Sequence, residues 1–134
     1  MEIHTKVLPL GETGGLYSII SKEITDDGGV FHLHLNPECI IYKAHFPEQP
    51  ITPGVCITQI AVELAEIIVG HSLQMIGIKN VKFLSILTPA TQTEVTYNIT
   101  IKSSDDSDDK ETRIQAVAQS DDVVYAKMSL ICKR

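Results

Sequence analysis

Hydrophobic and polar positions alternate with a period of two over much of this chain and lose that alternation in one stretch near its middle. Leu16–Ile24, rich in Ser, Ile, Tyr and Thr, reads as a first strand. Asp26-Asp27-Gly28-Gly29 is a hairpin turn signal, and Val30–Leu35 follows with strict alternation. Phe31, Leu33 and Leu35 fall on one face of that strand, and His32 and His34 on the other. A short apolar patch, Ile40, Ile41 and Tyr42, leads into a proline-rich loop.

The period then changes. From about Val55 to Gly70 the residues are mostly apolar and cover most of a helical circumference, which predicts a helix buried by something larger, such as a sheet. Its polar exceptions Gln59, Glu63 and Glu66 fall at i, i+4 and i+7, on one narrow stripe. Gly70-His71 offers a C-cap. Strand patterns resume over Ile76–Leu87, broken by Thr88-Pro89-Ala90, then over Thr93–Lys102, Arg113–Gln119 and Val123–Cys132. Residues 103–109 form an acidic, serine-rich connection, and Ser120-Asp121-Asp122 joins the last two strands. Two strands, a buried helix and about four more strands predict an α+β fold, a curved antiparallel sheet around one long helix. No linker or repeat divides the chain, so a single domain over 1–134 is expected.

Composition narrows the function classes. A net charge of −6 and a pI of about 5.2 argue against nucleic-acid and anionic-membrane partners. The apolar stretch of residues 55–70 is too short and too acidic to span a bilayer, and no signal-peptide pattern opens the sequence. Cys39, Cys56 and Cys132 are odd in number and lack metal-ligand spacing, which fits a reducing, cytoplasmic setting. Cys56, at a helix start, is a candidate thiolate in principle and a small buried filler by preference. The His32-x-His34 pair has no third metal ligand near by in sequence, and the acidic loop lacks the glycine and glutamate of a calcium loop. No metal or cofactor is therefore expected.

The candidate chemistry lies at the proline loop. His45-Phe46-Pro47-Glu48-Gln49-Pro50-Ile51-Thr52-Pro53-Gly54-Val55 sets a histidine in a stiff extended segment just before a helix start, where backbone N–H groups lack intrahelical partners. This loop and the following CITQIAVELA resemble the His-Phe-Pro-x-x-Pro-x-x-Pro-Gly-Val motif and helix of the bacterial 3-hydroxyacyl-ACP dehydratases of the FabZ and FabA type. A weaker similarity continues through Gly77–Phe83 and Thr88-Pro89-Ala90-Thr91, and little is seen in the first thirty residues.

The resemblance implies a hotdog fold and a homodimer or higher homo-oligomer with its active site at the subunit boundary. It also implies an acyl thioester substrate on ACP or CoA. His45 takes the part of base, with Gly54 and Val55 supplying N–H donors to the thioester oxygen and Phe46 and Pro53 lining the substrate site. The family places its carboxylate acid fourteen residues after the histidine, and here that position is Gln59. Glu63 follows one helical turn later, so Glu63 is expected to act as the acid, aided by Gln59 at the substrate hydroxyl. Three readings remain: a dehydratase or hydratase, an inactive acyl-binding or partner subunit, and a thioesterase on the same fold. An acidic carrier protein needs a basic dock, for which Lys79, Lys82 and Lys133-Arg134 are the candidates.

Overall fold

The computed structural model describes residues 15–44, 48–103 and 111–134. Six strands and two helices follow in the order β1 (Tyr17–Thr25), β2 (Gly28–Leu35), α1 (Ile40–Ala44), α2 (Gly54–Val69), β3 (Gln74–Phe83), β4 (Glu94–Ser103), β5 (Thr112–Ser120) and β6 (Val123–Lys133). The strands form one antiparallel sheet in the order β1-β2-β4-β5-β6-β3. The chain therefore enters at one edge of the sheet, lays down α2, and returns at the opposite edge.

Alternation decides which side of the sheet is dry. Along β2, Phe31, Leu33 and Leu35 are buried while His32 and His34 are exposed. The same inward set continues through Val95, Tyr97 and Ile99 on β4, Ile114, Ala116 and Ala118 on β5, and Met128, Leu130 and Cys132 on β6. Helix α2 lies against this face, touching β2, β3, β4 and β5. Its residues Ile57, Ile60, Ala61, Leu64 and Ala65 join the sheet residues in one core. Each such large apolar side chain contributes about 1.5–3 kcal/mol on burial.

The helix is less enclosed than its composition predicts. Val55 is 72 % exposed and Ile67 37 % exposed, and Gln59, Glu63 and Glu66 between them are half-buried. One face of α2 therefore stays outside the core, because a single sheet covers only one side of a cylinder. Pro53 sets the helix start with φ −62° and ψ 147°, and Gly70 ends it in the left-handed region at φ 81°. Glu66 reinforces the exit, since its Oε2 accepts from the Leu73 N–H at 2.8 Å.

Other local expectations shift as well. The β1–β2 turn is Asp26-Asp27 alone, with Thr25 opposite Gly28, so both glycines belong to β2. A Cβ on Gly28 would collide with the Ile99 carbonyl oxygen, and close backbone approach explains that glycine. The apolar patch Ile40–Tyr42 is helical, as part of α1. Strand β3 begins earlier than alternation suggests and leaves the sheet after Phe83, where Leu84 and Ser85 both donate to the Tyr125 carbonyl. The acidic connection beyond Ser103 and the residues His45, Phe46 and Pro47 lie outside the described residues.

Candidate active site

Four segments meet around α2: the first residue of β1, the loop before the helix, the helix itself and the end of β3. The helix carries the candidate pair. Gln59 and Glu63 are one turn apart, and Gln59 Nε2 donates to Glu63 Oε2 at 3.1 Å. From β1, the Tyr17 hydroxyl donates to the other carboxylate oxygen, Oε1, at 2.9 Å. Both oxygens of Glu63 thus have defined donors, one on its own helix and one brought in from 46 residues away. Tyr17 is only 4 % exposed, whereas Glu63 and Gln59 are half-open. The phenol forms the wall behind the carboxylate. Burial first, then the nearby charge of Glu63 and its hydrogen bond, and lastly Glu66, push the Tyr17 phenol far above its ordinary value. It remains a proton donor across the physiological range.

Two further tyrosines anchor the same region. Tyr97, fully buried on β4, donates to the Ile57 carbonyl at 2.9 Å. Burial holds its phenol well above the usual range, with Tyr17, Tyr42 and Cys56 adding smaller effects. Tyr42 on α1 shares a 2.8 Å hydrogen bond with the buried Thr52 hydroxyl, fixing the loop just ahead of the helix. Its phenol is pushed up to about 12 by burial, against the lowering effect of Thr52. Buried phenols need partners, and here the partners are the helix and its approach.

At the helix start the N–H groups of Cys56 and Ile57 both turn back to the Pro53 carbonyl, at 2.9 and 3.0 Å. Helix geometry leaves the Gly54 and Val55 N–H groups pointing outward, with no side-chain cap on them. The Phe83 ring rests on Gly54: a Cβ there would lie 2.8 Å from its Cζ. Phe83 is therefore part of the wall at the helix start. The Cys56 thiol is pushed up to about 11, chiefly by burial and then by Cys39 and Glu63. A thiol in that state packs rather than attacks.

Of the expected residues, those described fall in two groups on α2. Pro53, Gly54 and Val55 gather at the helix start, and Gln59 and Glu63 pair on the helix, whereas His45 and Phe46 lie outside the described residues. Tyr17 has no local signal in the sequence, because its partner is fixed only by strand placement. Among the described residues no three-ligand cluster for a metal exists. His32 instead shares a hydrogen bond with Thr96 at 2.9 Å on the exposed sheet face. The basic candidates do not form one patch, since Lys82 pairs with Lys127 across β3–β6 whereas Lys133 lies opposite Gln74. That separates Lys82 from Lys133 by about 20 Å along the strands. No helix of the described residues is long and apolar enough to cross a membrane.

A six-stranded antiparallel sheet laid over one helix is a hotdog-type architecture. The family model for ApeI-like proteins, described as ApeI dehydratase, matches residues 21–123, and the chain belongs to that family. A 3-hydroxyacyl-[acyl-carrier-protein] dehydratase FabZ from Solibacter usitatus (strain Ellin6076) is 24 % identical over 100 residues, covering 69 % of this chain. The match takes in 59 % of that relative's length. The dehydratase heterocomplex ApeI:P from Xenorhabdus doucetiae superposes with a TM-score of 0.67 at 20 % identity, over 87 % of this chain and 96 % of that one. A hypothetical thioesterase with coenzyme A from Streptococcus pneumoniae TIGR4 follows at a TM-score of 0.54 and 8 % identity, over 87 % and 84 % of the two chains. At these identities the solved structures establish the fold.

Proposed function

We propose that this protein is a 3-hydroxyacyl-thioester dehydratase, acting on substrates carried by ACP or CoA and forming the trans-2-enoyl product, in fatty-acid or related lipid or polyketide synthesis. The observation that carries the reading is the Glu63 carboxylate, held on both oxygens at half-open depth on the family's helix. In the elimination, His45 takes the proton from the α carbon as the C=C bond forms. The β C–O bond breaks, and Glu63 in its acid form gives its proton to the departing hydroxide, which leaves as water. The helix-start N–H groups of Gly54 and Val55 hold the thioester oxygen as negative charge gathers there. Gln59 orients the hydroxyl, and Phe46 and Pro53 line the acyl path. No cofactor is needed. The protein works in the cytoplasm as a single domain.

Distance supports a shared site. Glu63 follows Gly54 by nine residues, about 13 Å along a helix axis, and its side chain recovers only part of that. The carbonyl and β-hydroxyl oxygens of one substrate lie far closer together, so the donors and the carboxylate that serve it come from two copies of the chain. Edge strand β3 and its exit expose Ile76, Ile78, Phe83, Leu84 and Ile86, apolar surface suited to a homodimer or higher homo-oligomer.

A second reading is favoured by one residue. Gln59, standing where the family has its acid, fits an inactive acyl-binding subunit of an active homologue. Thioester hydrolysis ranks below both, because the proline loop resembles dehydratases. The test is to give the purified oligomer a short 3-hydroxyacyl thioester, on ACP and on CoA, and follow enoyl absorbance. Enoyl formation supports the enzyme; a flat trace on both carriers from folded oligomer refutes it and favours the binding subunit.

A further inference from the structure

Tyr17 lies ahead of the segment that the family model matches, residues 21–123, yet it makes a direct bond to the carboxylate at the centre of the site. We propose that Tyr17 is the positioning residue for Glu63: its hydroxyl pins Oε1 as a permanent acceptor and leaves Oε2, facing Gln59, as the oxygen that carries the proton. This rests on the dehydratase reading and extends it to a residue outside the motif.

The argument is one of donors and acceptors. The Tyr17 ring is buried at the start of β1, which among the described residues is an edge strand paired with β2 alone, where Tyr17 stands opposite Leu35. Its position follows from sheet register, not from the helix, so it serves as a fixed post against which a long side chain can be set. A free glutamate on a helix samples several rotamers; a bond at 2.9 Å to a buried phenol selects one. The two donors differ in kind. The phenol, held protonated by burial and by neighbouring charge, keeps donating to Oε1. The Gln59 amide can rotate to present its oxygen instead of its nitrogen, and so can match Oε2 with or without a proton. Proton exchange is thereby directed to one oxygen. Only the pair gives this asymmetry, since a second fixed donor at Oε2 would oppose the acid form.

Tyr17→Phe keeps the ring and deletes the hydroxyl, so folding should survive, with a Tm within about 5 °C of wild type. The expected result on a 3-hydroxyacyl thioester is a fall in kcat of about 10- to 100-fold, the value of one hydrogen bond to a charged group, with little change in KM. In a Glu63→Gln background the same change should cost less than about twofold, because the two residues act as one unit. Additive losses, or a Tyr17→Phe enzyme with wild-type kcat, would overturn the assignment. A readout independent of turnover separates this from failure of the dehydratase reading. The Glu63 carboxylate stretch, isolated in each background as the infrared difference against Glu63→Gln, should shift in Tyr17→Phe, since one donor to Oε1 is gone. If wild type is inert yet the stretch moves, the function fails and the pairing stands; if the stretch does not move, the pairing fails. Site-specific 3-fluorotyrosine at position 17, a stronger donor of nearly the same size, should move it the opposite way.

Discussion

Replacing Glu63 by glutamine separates chemistry from packing at the centre of the site. The amide has nearly the volume of the carboxylate and keeps an oxygen for the Tyr17 hydroxyl, while Gln59 can rotate to receive the new N–H. Neither the Tyr17 hydroxyl nor the Gln59 amide is orphaned. What is lost is charge assistance on two bonds, about 1 kcal/mol each at full burial. Glu63 is half-open, so roughly half of that sum applies, about 1 kcal/mol, or about 4 °C in Tm for a domain of this size. Activity should behave differently. An amide cannot give a proton to the departing hydroxide, and loss of one positioned acid costs about 10²- to 10⁴-fold in kcat. The assay is initial-rate enoyl formation beside a thermal melt on the same preparation, with His45→Ala run in parallel as the base knockout. Wild-type turnover in Glu63→Gln would remove Glu63 from the mechanism. A collapse of the melt by 15 °C or more, which would take several kcal/mol, would show that its role is structural.

The remaining expectations test packing, titration and assembly. Gly28→Ala should cost about 3 kcal/mol by denaturant midpoint, because the new Cβ meets the Ile99 backbone. Gly54→Ala should cost less than about 1 kcal/mol, since the exposed Phe83 ring can swing aside and alanine favours the helix; equal losses would contradict this reading of the two contacts. Tyr17, Tyr42, Tyr97 and Cys56 all hold their protons more tightly folded than unfolded. The unfolded chain therefore releases protons first, and stability conferred at neutral pH should decline above about pH 9, by up to about 1.4 kcal/mol per pH unit for each group titrating. A Tm that stays flat to pH 11 would refute it. Ile78→Lys on edge strand β3 should lower the oligomer mass seen by sedimentation, and an unchanged mass would place the self-contact elsewhere.

Much of this molecule was legible in its order of residues, because local sterics and periodicity act over short spans. Alternation in Val30–Leu35 set the buried face of β2, Pro53 and Gly70 bounded α2, and the i, i+4 spacing put Gln59 and Glu63 side by side. The proline motif pointed to the family that the 21–123 match established. Other features were decided only when the sheet assembled. The strand order β1-β2-β4-β5-β6-β3 depends on contacts between distant segments, so nothing local announces that β3 is an edge or that Lys82 pairs with Lys127. Val55 and Ile67 read as core until the single sheet left their side of the helix uncovered. Gly28 read as turn until the Ile99 backbone came close. Tyr17 shows the divide most plainly: its bond to Glu63 spans 46 residues and exists because two elements, each shaped by its own local pattern, are brought together by burial of one common core.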